Sequence, residues 1–124
     1  MAFIYKNKIN SINQMNMEIK KILKALEREI TNASFLMDVR LVLSELIINA
    51  MDHGNNWDKD KYVWVLVKIN NREIYMEIKD EGEGIEKNNS LDKFSSSGRG
   101  LLIVRSLVDS IVFERSTVRC LMKF

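Results

Sequence analysis

The stretch from Leu41 to Asn55 limits what this chain can become more than any other. It contains no Pro, is rich in helix formers and ends on Gly54-Asn55, so it predicts a helix that stops there. At roughly 100° per residue, Val39, Leu43, Leu46, Ile47 and Ala50 share one face. Glu45, Asn49 and Asp52 share the opposite face, flanked by Leu41, Val42 and Ile48. A helix that is apolar on both sides of a Glu-Asn-Asp line is expected to be covered over most of its surface. An uncompensated carboxylate in such a place is costly. A protein cation, water, a metal or a ligand must meet it.

Composition narrows the class. The 124 residues read as one domain, 1–124, long enough to bury a real core. At 46% hydrophobic and 29% charged, the chain is ordinary globular material. A net charge of +2 is too small to argue for nucleic acid or a membrane surface as partner. The single cysteine, Cys120, excludes an internal disulfide framework and a multi-Cys metal site and suits a reducing cytosol, where it reads as a small apolar filler in a strand. The start, Met1 to Lys6, lacks the long apolar core of a signal peptide. No apolar run approaches the roughly 18 residues of a membrane span.

The remaining elements follow from periodicity. Residues 3–9 alternate, with Lys6 and Lys8 on one side, as in a short edge strand. Ile12, Met15, Ile19, Ile22, Leu23, Leu26 and Ile30 recur at helical spacing, predicting an amphipathic helix from about 11 to 31. Asn32 or Ser34 can cap the next helix. Tyr62 to Ile69 reads as a strand apolar on both faces over most of its length, and so well inside a sheet. A turn at Asn70-Asn71-Arg72 leads to its hairpin partner, 73–80, with Ile74, Met76 and Ile78 on one side. By parity Asp80 continues that apolar side, which aims a carboxylate toward the buried face. Residues 86–97 form a polar loop. A third helix from Leu101 to Ser110 and a hairpin turning at Arg115-Ser116 complete the chain. Three helices gathered on one face of a mixed, mostly antiparallel sheet make an α+β two-layer sandwich.

Three pieces carry chemistry. The first is Glu45 with Asn49, the second Asp80 followed by Gly82 and Gly84, the third Gly98-Arg99-Gly100 at a helix start. A helix N-terminus preceded by Gly presents free N–H groups to a phosphate. A carboxylate in an apolar pocket accepts a hydrogen bond from an exocyclic amine such as adenine's and repels the carbonyl that guanine has there. An Asn amide oxygen suits a Mg2+ ion that also holds phosphate oxygens. A Glu one turn earlier can orient or deprotonate a nucleophile beside the terminal phosphate. Each piece alone has an ordinary explanation: a solvated helix face, a plain turn, a common Gly-x-Gly. The three in this order, with a polar loop between the last two, are far more specific.

The segment from Leu43 to His53 resembles the N box of the Bergerat-fold (GHKL) ATPases. Ile78 to Ile85 resembles their first glycine box, and Gly98 to Val104 their second. The short loop between the glycine boxes is similar to the anti-sigma factor branch, serine-protein kinases that bind a sigma factor and phosphorylate an anti-anti-sigma protein. The resemblance implies ATP and Mg2+ as cofactors, with Asn49 as the Mg2+ ligand and Glu45 as the general base. It implies Asp80 as the reader of adenine, Gly82 and Gly84 as shapers of the base pocket, and Gly98, Arg99, Gly100 and Leu101 at the phosphates. Thr117 matches a Thr near adenine, though the usual preceding Gly is Ser116 here. Asp52 and His53 fall where that branch carries Asp-His; His53 either reaches the phosphates or sits as a helix C-terminal His at the negative dipole end. A bacterial cytoplasmic location follows from the same resemblance. The first strand or first helix offers a place for two copies to pair as a homodimer.

Two other functions compete. One is an ATP-gated binding module in which Glu45 is dispensable. The other is the ATP-binding domain of a histidine kinase, against which stands the lack of an upstream phosphoacceptor helix pair and the presence of His53 as the only His.

Overall fold

The computed structural model describes residues 3–82 and 100–124. The chain runs β1 (Phe3–Ile9), α1 (Ile12–Leu26), α2 (Ala33–Asn49), a π-helical turn (Ala50–Gly54), β2 (Val63–Asn70), β3 (Glu73–Lys79), α3 (Gly100–Leu107), β4 (Ser110–Glu114) and β5 (Thr117–Lys123). The strands form one sheet in the order β1-β2-β3-β5-β4, and every pairing is antiparallel. The expected α+β sandwich is what forms.

Local chemistry sets the element ends. Ser11 caps α1 by accepting from the Gln14 N–H, and Asn32 caps α2 by accepting from the Phe35 N–H. Asn71 and Arg72 both have positive φ, 52° and 63°, so the β2–β3 hairpin closes on the mirror-image turn that matches strand twist. The first helix is shorter than expected. It ends at Leu26 and the chain turns through residues 27–29, yet Ile30 is buried, so the apolar repeat outlasts the helix.

The core lies between the helices and one face of the sheet. Val39, Val42, Leu43, Leu46 and Ile47 of α2 are fully buried against a layer that includes Val63, Val67, Ile74, Met76 and Ile78. The other sheet face is open. On β2, Val63, Val65, Val67 and Ile69 are buried, while Trp64 is 42% exposed and Lys68 is exposed. This corrects the reading of β2 as buried on both faces: it is an interior strand, paired with β1 and β3, but only one layer covers it.

Candidate functional site

α2 passes under the C-terminal end of β3, and the residues singled out from the sequence gather where they meet. Asn49 closes α2 and is only 6% exposed; Glu45, one turn earlier, is half-buried. The helix then widens. The Asn55 N–H donates to the Ala50 carbonyl at 2.9 Å, five residues back, in place of the normal i−4 bond. Such π-turns are rare and cluster at functional sites. The turn presents Asp52 and His53 together. Asp52 Oδ1 accepts from Trp57 Nε1 at 3.0 Å, and Asp52 Oδ2 lies 3.6 Å from His53 Nε2.

Asp80 stands at the focus, 5% exposed. Its N–H donates to the Ser116 carbonyl at 2.9 Å, which continues the β3–β5 ladder by one residue. Its Oδ1 accepts from the Gly82 N–H at 2.8 Å. That bond uses one of about four acceptor directions on a carboxylate. Burial raises the Asp80 pKa above its ordinary value; the Gly82 N–H and the charge of Lys61 pull the other way.

Two glycines make room for this carboxylate. A Cβ on Gly54 would lie 2.2 Å from Asp80 Cγ and Oδ2, and one on Gly82 would lie 2.2 Å from the Gly54 carbonyl oxygen. The end of the π-turn, the end of β3 and the start of the next loop are therefore in direct contact, and only glycine fits at both positions. Asn55, 2% exposed, locks the same junction. Its Oδ1 accepts from the Glu81 N–H at 2.8 Å, and its Nδ2 donates to the Tyr62 carbonyl at 3.0 Å.

The phosphate-side candidates are partly described. Gly100 starts α3 so close to α2 that a Cβ on it would lie 2.6 Å from Glu45 Oε2. The N-terminus of α3 thus sits against the Glu45 carboxylate, where its positive end favours negative charge. The Leu101 side chain is buried in the core, so only its backbone faces that end. Thr117 opens β5 and pairs with Lys79, next to Asp80. Gly84, Gly98 and Arg99 lie outside the described residues. Arg105 is exposed, its guanidinium 5.9 Å from the Phe113 ring.

The geometry brings Glu45, Asn49, Asp80, Gly82, Gly100 and Thr117 to one end of the sandwich. Sequence reasoning used Gly54 and Asn55 only as a helix stop; nothing local to them reports a contact with Asp80 or Glu81. The donor set suits a nucleotide. A buried carboxylate flanked by glycines is an acceptor for an amine, and the Asn49 amide oxygen is a hard donor for Mg2+. Among the described residues, no group of three or more His, Cys, Asp or Glu could hold a metal unaided. A single Asn amide oxygen suits an ion whose other ligands include oxygens from outside the protein, such as those of a phosphate.

Comparison with known proteins agrees with this fold. A family model described as the histidine kinase-like ATPase domain matches residues 10–122. The chain is 32% identical over 87 residues, 64% of its length, to the anti-sigma F factor of Geobacillus sp. strain WCH70. It is 33% identical over 85 residues, 62% of its length, to that of Clostridium acetobutylicum. To that of Bacillus subtilis strain 168 it is 29% identical over 89 residues, 65% of its length. The matches cover 60%, 59% and 61% of those three proteins, so the chain spans about three-fifths of the curated relatives it matches.

Proposed function

The chain belongs to the histidine kinase-like ATPase domain family, and from that premise we propose that it binds ATP with Mg2+ and acts as an anti-sigma-type protein kinase. In this reading it is a single domain that transfers a phosphoryl group to a Ser or Thr of an antagonist protein and thereby controls a sigma factor. The observation that carries it is the Gly54–Asp80–Gly82 junction at the end of α2, a buried acceptor packed so closely that only glycine fits at the two positions around it. Similarity to anti-sigma F factors supports the choice of partners and a bacterial cytoplasmic setting. Among the described residues no helix is long and apolar enough to cross a membrane. The edge strand β1 provides a surface for a homodimer.

Each residue has a defined task. Asp80 accepts the exocyclic amine of adenine, with Gly82 and Gly84 shaping the recess around the base and Thr117 beside it. The start of α3 at Gly100 and Leu101 meets phosphate oxygens through its backbone N–H groups, and the family resemblance assigns Gly98 and Arg99 to the same phosphates. Asn49 would hold Mg2+ through its amide oxygen, and the ion when bound would supply neutralisation of charge on the phosphate oxygens. Glu45 accepts the proton of the attacking hydroxyl. Asp52 orients His53 toward the phosphate side. Most of the rate in such a transfer comes from positioning and electrostatics.

A second reading draws on the Gly100–Glu45 contact. A carboxylate packed under the start of α3 can report nucleotide occupancy to that helix without chemistry, giving an ATP-gated binding module. Incubation with Mg-ATP and the cognate antagonist, scored for phosphoserine or phosphothreonine, separates the two. The kinase reading expects transfer by wild type and its loss in Glu45→Ala with ATP binding intact. No transfer by an ATP-binding wild type rejects it.

A further inference from the structure

Away from this site the described surface has a groove of about 450 Å³ between α1 and α2. Residues 27–32 join the two helices, a connection short enough to fold them into a hairpin. From α1 the groove is lined by Asn16, Ile19, Lys20 and Leu23. These positions lie three and four apart, one side of a helix. From α2 it is lined by Met37, Arg40 and Ser44, spaced in the same way.

Its chemistry is one-sided. Ile19 is buried and Leu23 half-buried, so the floor is apolar, and Met37 stands over it 58% exposed. Met is a side chain that adapts its shape to a partner. Lys20 and Arg40 are exposed, no Asp or Glu lines the groove, and among the described residues neither cation is in an ion pair. The α2 end of the groove reaches Ser44. The size falls within the range of pockets that enclose a ligand group or an anchoring side chain.

We propose that this groove docks an acidic amphipathic helix of a protein partner. The helix seats its apolar residues on Ile19, Leu23 and Met37 and sets its carboxylates against Lys20 and Arg40. This is the helix-in-groove mode, read by anchors at i, i+3 or i+4, and i+7. Only the choice of a protein as occupant rests on the function proposed above.

The test uses the full chain and a fluorescent model helix carrying Leu at those anchor positions and Glu beside them, followed by anisotropy. Its counterpart has every Glu replaced by Lys. Saturable binding of the acidic helix, weakened by salt, is expected. The double variant Lys20→Glu/Arg40→Glu should bind it about tenfold or more weakly and gain affinity for the basic helix. Met37→Asp, at an exposed position, should also lose the acidic helix. Equal affinity for both helices, indifference to charge reversal, or capture by anionic phosphatidylglycerol vesicles in preference to the acidic helix overturns the proposal. ATP binding and melting are measured on the same samples. Wild type that binds the acidic helix but not ATP refutes the nucleotide reading and leaves the groove standing; loss of the helix alone does the reverse.

Discussion

Asp80→Asn separates binding from stability. The carboxylate is 5% exposed and bonded to the Gly82 N–H at 2.8 Å. Asparagine fills the same volume and keeps an oxygen for that bond. Its other atom group becomes a donor, which faces the donor amine of adenine. A charge-assisted hydrogen bond contributes about 1.5–3 kcal/mol, and leaving the amine unsatisfied adds more. A net loss of about 2–4 kcal/mol corresponds to roughly 30- to 1000-fold in Kd for ATP. Stability without nucleotide moves the other way. Burial raises the Asp80 pKa, so the folded state prefers the protonated form. The stability Asp80 contributes is thus complete below its unfolded-state pKa and is lost as pH rises through the folded one. At neutral pH the uncharged variant should therefore melt no lower than wild type, and the difference should close as pH falls into the ordinary carboxylate range. Calorimetric titration with ATP and nucleotide-free melting from acid to neutral pH read both effects. Unchanged ATP affinity, or a variant that melts well below wild type at neutral pH, would refute this reasoning.

Two further substitutions test the frame around the site. Gly82→Ala places a Cβ 2.2 Å from the Gly54 carbonyl oxygen, a backbone atom that cannot step aside, so a loss of about 1–3 kcal/mol is expected, checked by denaturant unfolding. Glu18 is buried, accepts from Tyr5 Oη at 2.5 Å and from Asn7 Nδ2 at 2.9 Å, and is held below its ordinary pKa, the Tyr5 bond being the largest cause. Its contribution is present above the unfolded-state pKa and lost as pH falls through the folded one. Tyr5→Phe should cost about 1.5–3 kcal/mol at neutral pH and shift acid unfolding to higher pH; a variant with the acid limb of wild type contradicts that assignment.

Much of this molecule was legible in the sequence, and the exceptions share a cause. Asp80 could be placed on the buried face because a strand alternates sides, so Ile74, Met76 and Ile78 fix its parity. The Glu45–Asn49 pair could be placed on one helical side for the same kind of reason. What depends on distant partners was not readable. Gly54 is a helix stop to any local rule, yet its lack of a Cβ is required by Asp80, which lies in another element. Asn55 looks like loop material until Glu81 and Tyr62 arrive at its amide. The α1 periodicity ran on through Ile30 because a buried residue after a turn looks like another helical step. Trp64 and Leu66 made β2 read as doubly buried, since composition cannot tell a covered sheet face from an apolar open one. The two hairpins were each evident, but that β5 rather than β4 joins β3 is a tertiary outcome.

The claim at the centre is that the recess around Asp80 reads adenine. It is tested most directly by equilibrium titration of the wild-type chain with ATP and with GTP, each in the presence of Mg2+. Saturable ATP binding is expected, with GTP weaker by about tenfold or more, because guanine offers a carbonyl where Asp80 requires a donor. Equal affinity for the two nucleotides, or no binding of either, would contradict it.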